Sequence, residues 1–193
     1  MIFMSQTFII STIVVAVIFI AAGAGVYYWH QGKKSNHDER KTRLEDYNKY
    51  PVATFAGGCF WCTESDFEKT DGVVEVISGY TGGTVPTPSY DEVSSGETGH
   101  REAVRVYYNT NSVSYEQLLE VFWRHINPSD GDGQFNDRGF QYSPAIHYHD
   151  EEQREAAEAS KKALEESGKF EVVNVPILPV AKFYVAEEYH QNY

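Results

Sequence analysis

The run FIISTIVVAVIFIAAGAGVYY, from Phe8 to Tyr28, holds 21 residues without a charge, and it divides the chain before any motif is considered. A helix of that length rises ~1.5 Å per residue and reaches roughly 31 Å, matching a hydrocarbon core of ~30 Å. Residues 1–29 are therefore expected to form one transmembrane helix, an N-terminal single-pass anchor. The alternative is a cleaved signal sequence, for which AAGAG supplies small residues, although the leading MIFMSQT lacks the basic residues that a signal peptide carries. Lys33, Lys34, Arg40, Lys41 and Arg43 follow the span and no Lys or Arg precedes it, so the positive-inside rule places the rest of the chain in the cytoplasm. Cleavage at AAGAG would overturn that and make the domain extracytoplasmic. Residues 30–50 are polar and mixed in charge and read as a tether, its basic residues either solvated or touching anionic lipid.

What remains, residues 51–193, is the length of one domain. The whole chain has 14 Tyr and 11 Phe, enough for an aromatic-rich core. Residues 51–193 hold 10 Lys and Arg against 24 Asp and Glu, a charge of -14; a field of that sign repels phosphate backbones, and no nucleic-acid partner is expected. VATFA (Val52 to Ala56) is a short apolar run stopped by Gly57-Gly58, the pattern of a buried strand entering a tight turn. CFWCTESDFEK suits a helix opening at Cys59, and Asp71-Gly72 turns the chain into the strand VVEVISGY. Thr81 to His100 is dense in Gly, Pro, Ser and Thr and reads as a long functional loop. Glu102 to Tyr108 alternates as a strand. Ser114 and Gln117 form a capping box ahead of an apolar stripe of Leu118, Leu119, Phe122, Trp123 and Ile126, and Pro128 ends that helix. A second Gly- and Asp-rich loop leads to AIHYH. Asp150 and Gln153 then cap a charged, solvated helix that stops at Gly168. One or two short strands are expected in the tail.

The only two cysteines, Cys59 and Cys62, stand in GGCFWC. Zinc would need two further ligands, His147 and His149 for example, and Phe-Trp is a bulky filling for a metal knuckle. A structural bridge two residues apart would close almost no loop and add little stability. Chemistry is the third reading. A cysteine in the first turn of a helix meets unpaired backbone N–H groups and the positive end of the dipole, which favours thiolate. Cys59 is thus placed as a nucleophile. Residues three apart on a helix have Cβ atoms ~5–6 Å apart, so Cys62 reaches it after a small distortion, as a resolving thiol.

GCFWC, SGYTGG, PTPSY, SGETGHREAVRVYYN, FNDRGFQYSPAI and FYVAEEYHQNY, in this order, resemble the peptide methionine sulfoxide reductases of the A type, across Val52 to Tyr193. The resemblance implies an α+β fold, a two-layer sandwich around a mixed β-sheet. It implies that Cys59 attacks the sulfoxide of the S epimer, one reductase type serving each epimer. A sulfoxide oxygen leaves only when protonated, so the site needs an acid beside the thiolate. The resemblance assigns that acid to Glu102, with a pKa raised by burial among aromatics. It assigns the phenols that hydrogen-bond the oxygen to Tyr90 and Tyr142, and the apolar wall for the substrate methyl to Phe60 and Trp61. Asp137 and His190 are expected as supporting hydrogen-bonding residues.

No metal or organic cofactor is expected. Many members of the family carry glycine at the position of Cys62 and resolving cysteines in a later tail. With no other cysteine here, resolution falls to Cys62 or an outside thiol: Cys59 becomes a sulfenic acid, Cys62 condenses with it, and thioredoxin or a similar dithiol reduces the disulfide. Ser143 stands where the family often has arginine, which would alter charge at the substrate entrance. Oxidised proteins or peptides, and free methionine sulfoxide, are the expected substrates of a monomer. Two rival readings are a C-x-x-C thiol-disulfide oxidoreductase, which leaves Glu102, Tyr90 and Tyr142 unexplained, and a membrane-tethered peptide-binding module without turnover.

Overall fold

The computed structural model describes Glu45 and residues 47–193. Within them, Val52–Ala56 forms β1, Phe60–Glu68 α1, Val73–Thr81 β2, Tyr90–Ser94 α2, Arg101–Tyr108 β3 and Tyr115–His125 α3. A two-residue hairpin follows, Gly133–Gln134 (β4) with Asp137–Arg138 (β5), then a 3₁₀ turn at Phe140–Tyr142, β6 at Ala145–Tyr148, α4 at Glu151–Glu166, β7 at Ile177–Pro179, β8 at Phe183–Val185 and a second 3₁₀ turn at Glu188–His190. Six strands make one sheet in the order β7-β6-β1-β3-β2-β8. All its pairings are antiparallel except β6 with β7. The fold is α+β around a mixed sheet.

Strand alternation sends successive side chains to opposite faces. Phe55 pairs with Val104 on β3 and with Ile146 on β6, so these three share a face. There the Phe55 ring lies 5.0 Å from Phe67 of α1 and 5.1 Å from Phe122 of α3, and all three are fully buried. The core between sheet and helices is therefore aromatic. α1 packs on β2 and β3, α3 packs on α1 and α4, and α4 packs on β6.

Helix boundaries follow local chemistry. The Ser114–Gln117 capping box forms in both directions. At α4 only half of the expected box forms: Asp150 accepts from the Gln153 N–H, while the Gln153 side chain accepts from the His149 N–H and donates to the Val52 carbonyl. That ties this mostly exposed helix to β1.

Two loops carry more structure than their composition suggests. Within Thr81–His100, Thr81 belongs to β2, and α2 is set by a reciprocal capping box between Ser89 and Glu92. The Gly- and Asp-rich loop holds the β4–β5 hairpin, pinned by the buried Gln134 amide, which accepts from the Asn127 N–H and donates to the Asn127 and Asp130 carbonyls. Among the described residues no helix is long and apolar enough to cross a membrane; the run Phe8–Tyr28 lies outside them. Of the tether, residues 47–50 are described as a turn, with the Tyr47 ring 5.5 Å from Tyr107 of β3.

Candidate active site

The turn between β1 and α1 aims Cys59. Gly58 has φ +95°, and a Cβ there would lie 2.7 Å from the Gln134 Cβ, so both backbone conformation and space demand glycine. Cys59 is the N-cap of α1, with non-helical φ and ψ of -56° and 122°. Its carbonyl accepts from the Thr63 N–H at 3.2 Å and the Thr63 hydroxyl at 3.1 Å. Cys59 is half-buried and Cys62 is exposed, both as free thiols.

Glu102 lies on β3 beside Tyr80 of β2 and is 1% exposed. The Phe60 N–H donates to its Oε2 at 3.0 Å, which leaves the other oxygen to carry a proton. Burial pushes its pKa up to about 8, with the nearby Asp137 charge adding to the rise and the Phe60 N–H opposing it. Glu102 therefore holds a proton at neutral pH, as an acid must.

The expectation of a resting Cys59 thiolate is corrected. Burial, and then the charge of Glu102, push the thiol up to about 11; the Trp61 and Cys62 N–H groups at the helix start pull the other way but do not win. Position on the helix fixes the sign of the dipole contribution, whereas burial outweighs it here. Protonation of Glu102 removes one of the three raising causes, the others being burial and Cys62, so the acid and the nucleophile are coupled.

Tyr90 opens α2, and Tyr142 closes the 3₁₀ turn after β5. Their hydroxyls hydrogen-bond each other, and burial, then the Glu102 charge, raise both pKa values, which keeps them neutral donors. Asp137 is exposed on β5 and acts on the site through its charge. Phe60 is buried, its ring 5.8 Å from Tyr80 and 5.0 Å from His190. The Trp61 indole N–H donates to His190 Nδ1 at 3.1 Å, so the His190 proton sits on Nε2, 4.0 Å from the Glu187 carboxylate.

Thus Cys59, Phe60, Glu102, Tyr90, Tyr142, Trp61, His190 and Asp137, from six separate stretches, meet in one place. His147 and His149 do not join them: His147 pairs with Thr54 on the other sheet face, and His149 Nε2 is 2.8 Å from the Thr54 hydroxyl. Burial holds both at about pKa 4, neutral at physiological pH. Ser143 is buried and accepts from Arg101 Nε at 2.9 Å, so it is a packing partner and not an entrance residue.

Glu187 was not singled out by the sequence. Its carboxylate accepts from the Tyr80 hydroxyl at 2.9 Å and the Tyr90 N–H at 3.2 Å, fixing the start of α2 and hence Tyr90. The available signal was its place in AEEYHQ, beside His190. Glu64, buried on α1, was also missed; burial raises it to about 7, with the Asn192 N–H the largest opposing influence.

A family model described as peptide methionine sulfoxide reductase matches residues 51–193. The chain is 51% identical over 146 residues to peptide methionine sulfoxide reductase MsrA of Bacillus velezensis, covering 75% of this chain and 82% of that one. In structure it resembles reduced Mxr1 of Saccharomyces cerevisiae, with TM-score 0.68 and 31% identity over 73% of this chain and 82% of that one. It also resembles methionine sulfoxide reductase A of Corynebacterium diphtheriae, with TM-score 0.66 and 32% identity over 74% and 72%. Mxr1 has also been crystallised in complex with Trx2; that form, at 23% identity and TM-score 0.52 over 72% and 81%, speaks for the fold alone. On the strength of the model that spans its whole domain and a relative sharing half of the aligned residues, the chain belongs to the peptide methionine sulfoxide reductase family.

Proposed function

We propose that residues 51–193 reduce the S epimer of methionine sulfoxide in oxidised proteins and peptides and in the free amino acid, by attack of Cys59 on the sulfoxide sulfur. The observation that carries this is the neutral Glu102, held through the N–H of the residue that follows the nucleophile. Tyr90 and Tyr142 donate to the sulfoxide oxygen, Glu102 gives it a proton and is reloaded by the proton that the Cys59 thiol loses as it attacks, and the Phe60 and Trp61 rings take the methyl. As the oxygen moves to Cys59 the thioether leaves, and Cys59 is a sulfenic acid. Cys62 condenses with it, releasing water, and a dithiol such as thioredoxin reduces the disulfide. The catalytic unit works as a monomer. It needs no metal or organic cofactor. Asp137 sustains the acid by its charge, and His190 orients Trp61.

The test is reduction of separated S and R epimers of blocked methionine sulfoxide with dithiothreitol and then thioredoxin. Turnover is expected with the S epimer alone; reduction of neither epimer would return the chain to a general thiol-disulfide role.

We also propose the finer architecture: a helix layer on one side of the sheet, and residues 1–29 as a single-pass anchor joined by the tether 30–50, with the catalytic domain in the cytoplasm. The basic residues after the span support that orientation. A tag at Tyr193 is expected to be inaccessible to an impermeant label in intact cells and accessible after lysis; labelling of intact cells would invert the topology while leaving the chemistry in place.

A further inference from the structure

The segment 187–193 carries an aromatic ring onto the site. The Tyr193 ring stacks on Trp61 with centroids 3.8 Å apart and planes within 10°, yet Tyr193 is 73% exposed. One face of Trp61 is thus covered by a ring whose own outer side is open.

The contact is anchored by its surroundings. The Gln191 amide behaves like one more strand residue against β2: its Oε1 accepts from the Ser78 N–H at 3.0 Å, and its Nε2 donates to the Ser78 carbonyl at 3.0 Å and the Ala186 carbonyl at 3.2 Å. Glu187 bonds Tyr80 and Tyr90 at the other end of the segment. Between Gln191 and Tyr193 the chain reverses at Asn192, φ +54°, a left-handed conformation that asparagine tolerates better than most residues. The Trp61 edge is meanwhile bonded to His190. Indole orientation is therefore set from two sides by one short segment tied to the sheet.

Resting on the reading that Trp61 lines the methyl pocket, we propose that Tyr193 is a specificity residue, a platform outside Trp61 for the apolar residues that flank an oxidised methionine in a polypeptide. The ring covers one face of the pocket wall and extends that wall beyond the methyl site. A free methionine sulfoxide, or one blocked at both ends by small groups, is too short to lie along it; a peptide with neighbouring Leu or Phe is long enough. Offset aromatic and apolar contacts of this kind alter affinity by roughly threefold to tenfold.

Tyr193→Ala and Tyr193→Phe in the full chain test this, with the S epimer in two substrates: N-acetyl methionine sulfoxide methylamide and a pentapeptide with Leu on both sides. Tyr193→Ala is expected to raise KM for the pentapeptide about threefold to tenfold and for the blocked residue less than about twofold, with kcat within about twofold for both. Tyr193→Phe should restore the wild-type KM. Gln191→Ala, which unties the segment from β2, should shift the pentapeptide KM in the same direction. An unchanged pentapeptide KM in Tyr193→Ala, or equal losses on both substrates with a lower Tm, would overturn the platform. Wild-type turnover of the blocked S epimer checks the reductase reading separately, since it does not depend on the platform.

Discussion

Cys59→Ser is expected to leave no measurable reduction of the S epimer with any reductant, whereas Cys62→Ser should make one equivalent of thioether and then stall when thioredoxin is the only reductant. The difference follows from where the two thiols sit. Cys59 is the half-buried N-cap beside Glu102, and Cys62 is exposed on the helix that follows. A serine at position 59 offers an alkoxide precursor far less acidic and less nucleophilic toward sulfur, so the first bond never forms. A serine at position 62 leaves that bond untouched but removes the group that expels water from the sulfenic acid. A protein dithiol meets an exposed disulfide sulfur more readily than a half-buried one, so thioredoxin-driven turnover depends on the Cys59–Cys62 bridge. Dithiothreitol is small enough to reach Cys59 directly, and should keep the variant turning over.

Forming the bridge asks little of the fold. Cys59 already has non-helical backbone angles, so its side chain can swing toward Cys62 while its carbonyl keeps the Thr63 bonds that begin α1. The disulfide should be visible by mass spectrometry after one turnover of the wild type, and a sulfenic acid in its place in Cys62→Ser. A wild type that never shows the intramolecular disulfide would remove Cys62 from the resolving role.

Much of this fold was legible because it rests on local rules. The run Val52–Ala56, the Ser114 capping box and the Gly168 stop each need only a few neighbouring residues. α2 escaped because five residues make no apolar period, although Ser89 and Glu92 do spell a capping box. The β4–β5 hairpin escaped because its strands are two residues long and its anchor, Gln134, works through backbone groups that a sequence does not display. The parallel pairing of β7 with β6 depends on a crossover through α4 that no local pattern states. The site divides likewise. Cys59 and Cys62 announced themselves by spacing, while Glu102, Tyr90 and Tyr142 are scattered over β3, α2 and a 3₁₀ turn, and only resemblance gathered them. Glu187 binds Tyr80 and Tyr90 from about a hundred residues away. The protonation state of Cys59 was not legible for a related reason: helix position, which favours thiolate, is local, but the burial that raises the thiol is a property of the assembled core.

Glu102→Gln is expected to lower kcat/KM by roughly 10²- to 10⁴-fold, the range in which a positioned general acid contributes, while making the protein more stable. The amide oxygen of glutamine can still accept from the Phe60 N–H, so geometry survives and only the proton is lost. In the wild type, Glu102 is protonated below about pH 8; kcat/KM should fall as pH rises through that value, and the variant's residual activity should lack this falling limb. The stability effect has a definite sign. The folded pKa of about 8 lies above the ordinary 4.5, so between these values the folded chain holds a proton that the unfolded chain releases, and stability is lost as pH rises through the window. The cost at pH 7 is at most about 3 kcal/mol. Glutamine does not incur it, so the Tm of Glu102→Gln should exceed that of the wild type by a margin that is small near pH 4.5, grows toward pH 8 and is then constant. An unchanged margin across that range would mean that Glu102 is not a buried neutral acid, and the proton for the sulfoxide oxygen would have to come from Tyr90 or Tyr142, the donors on the same side of the pocket.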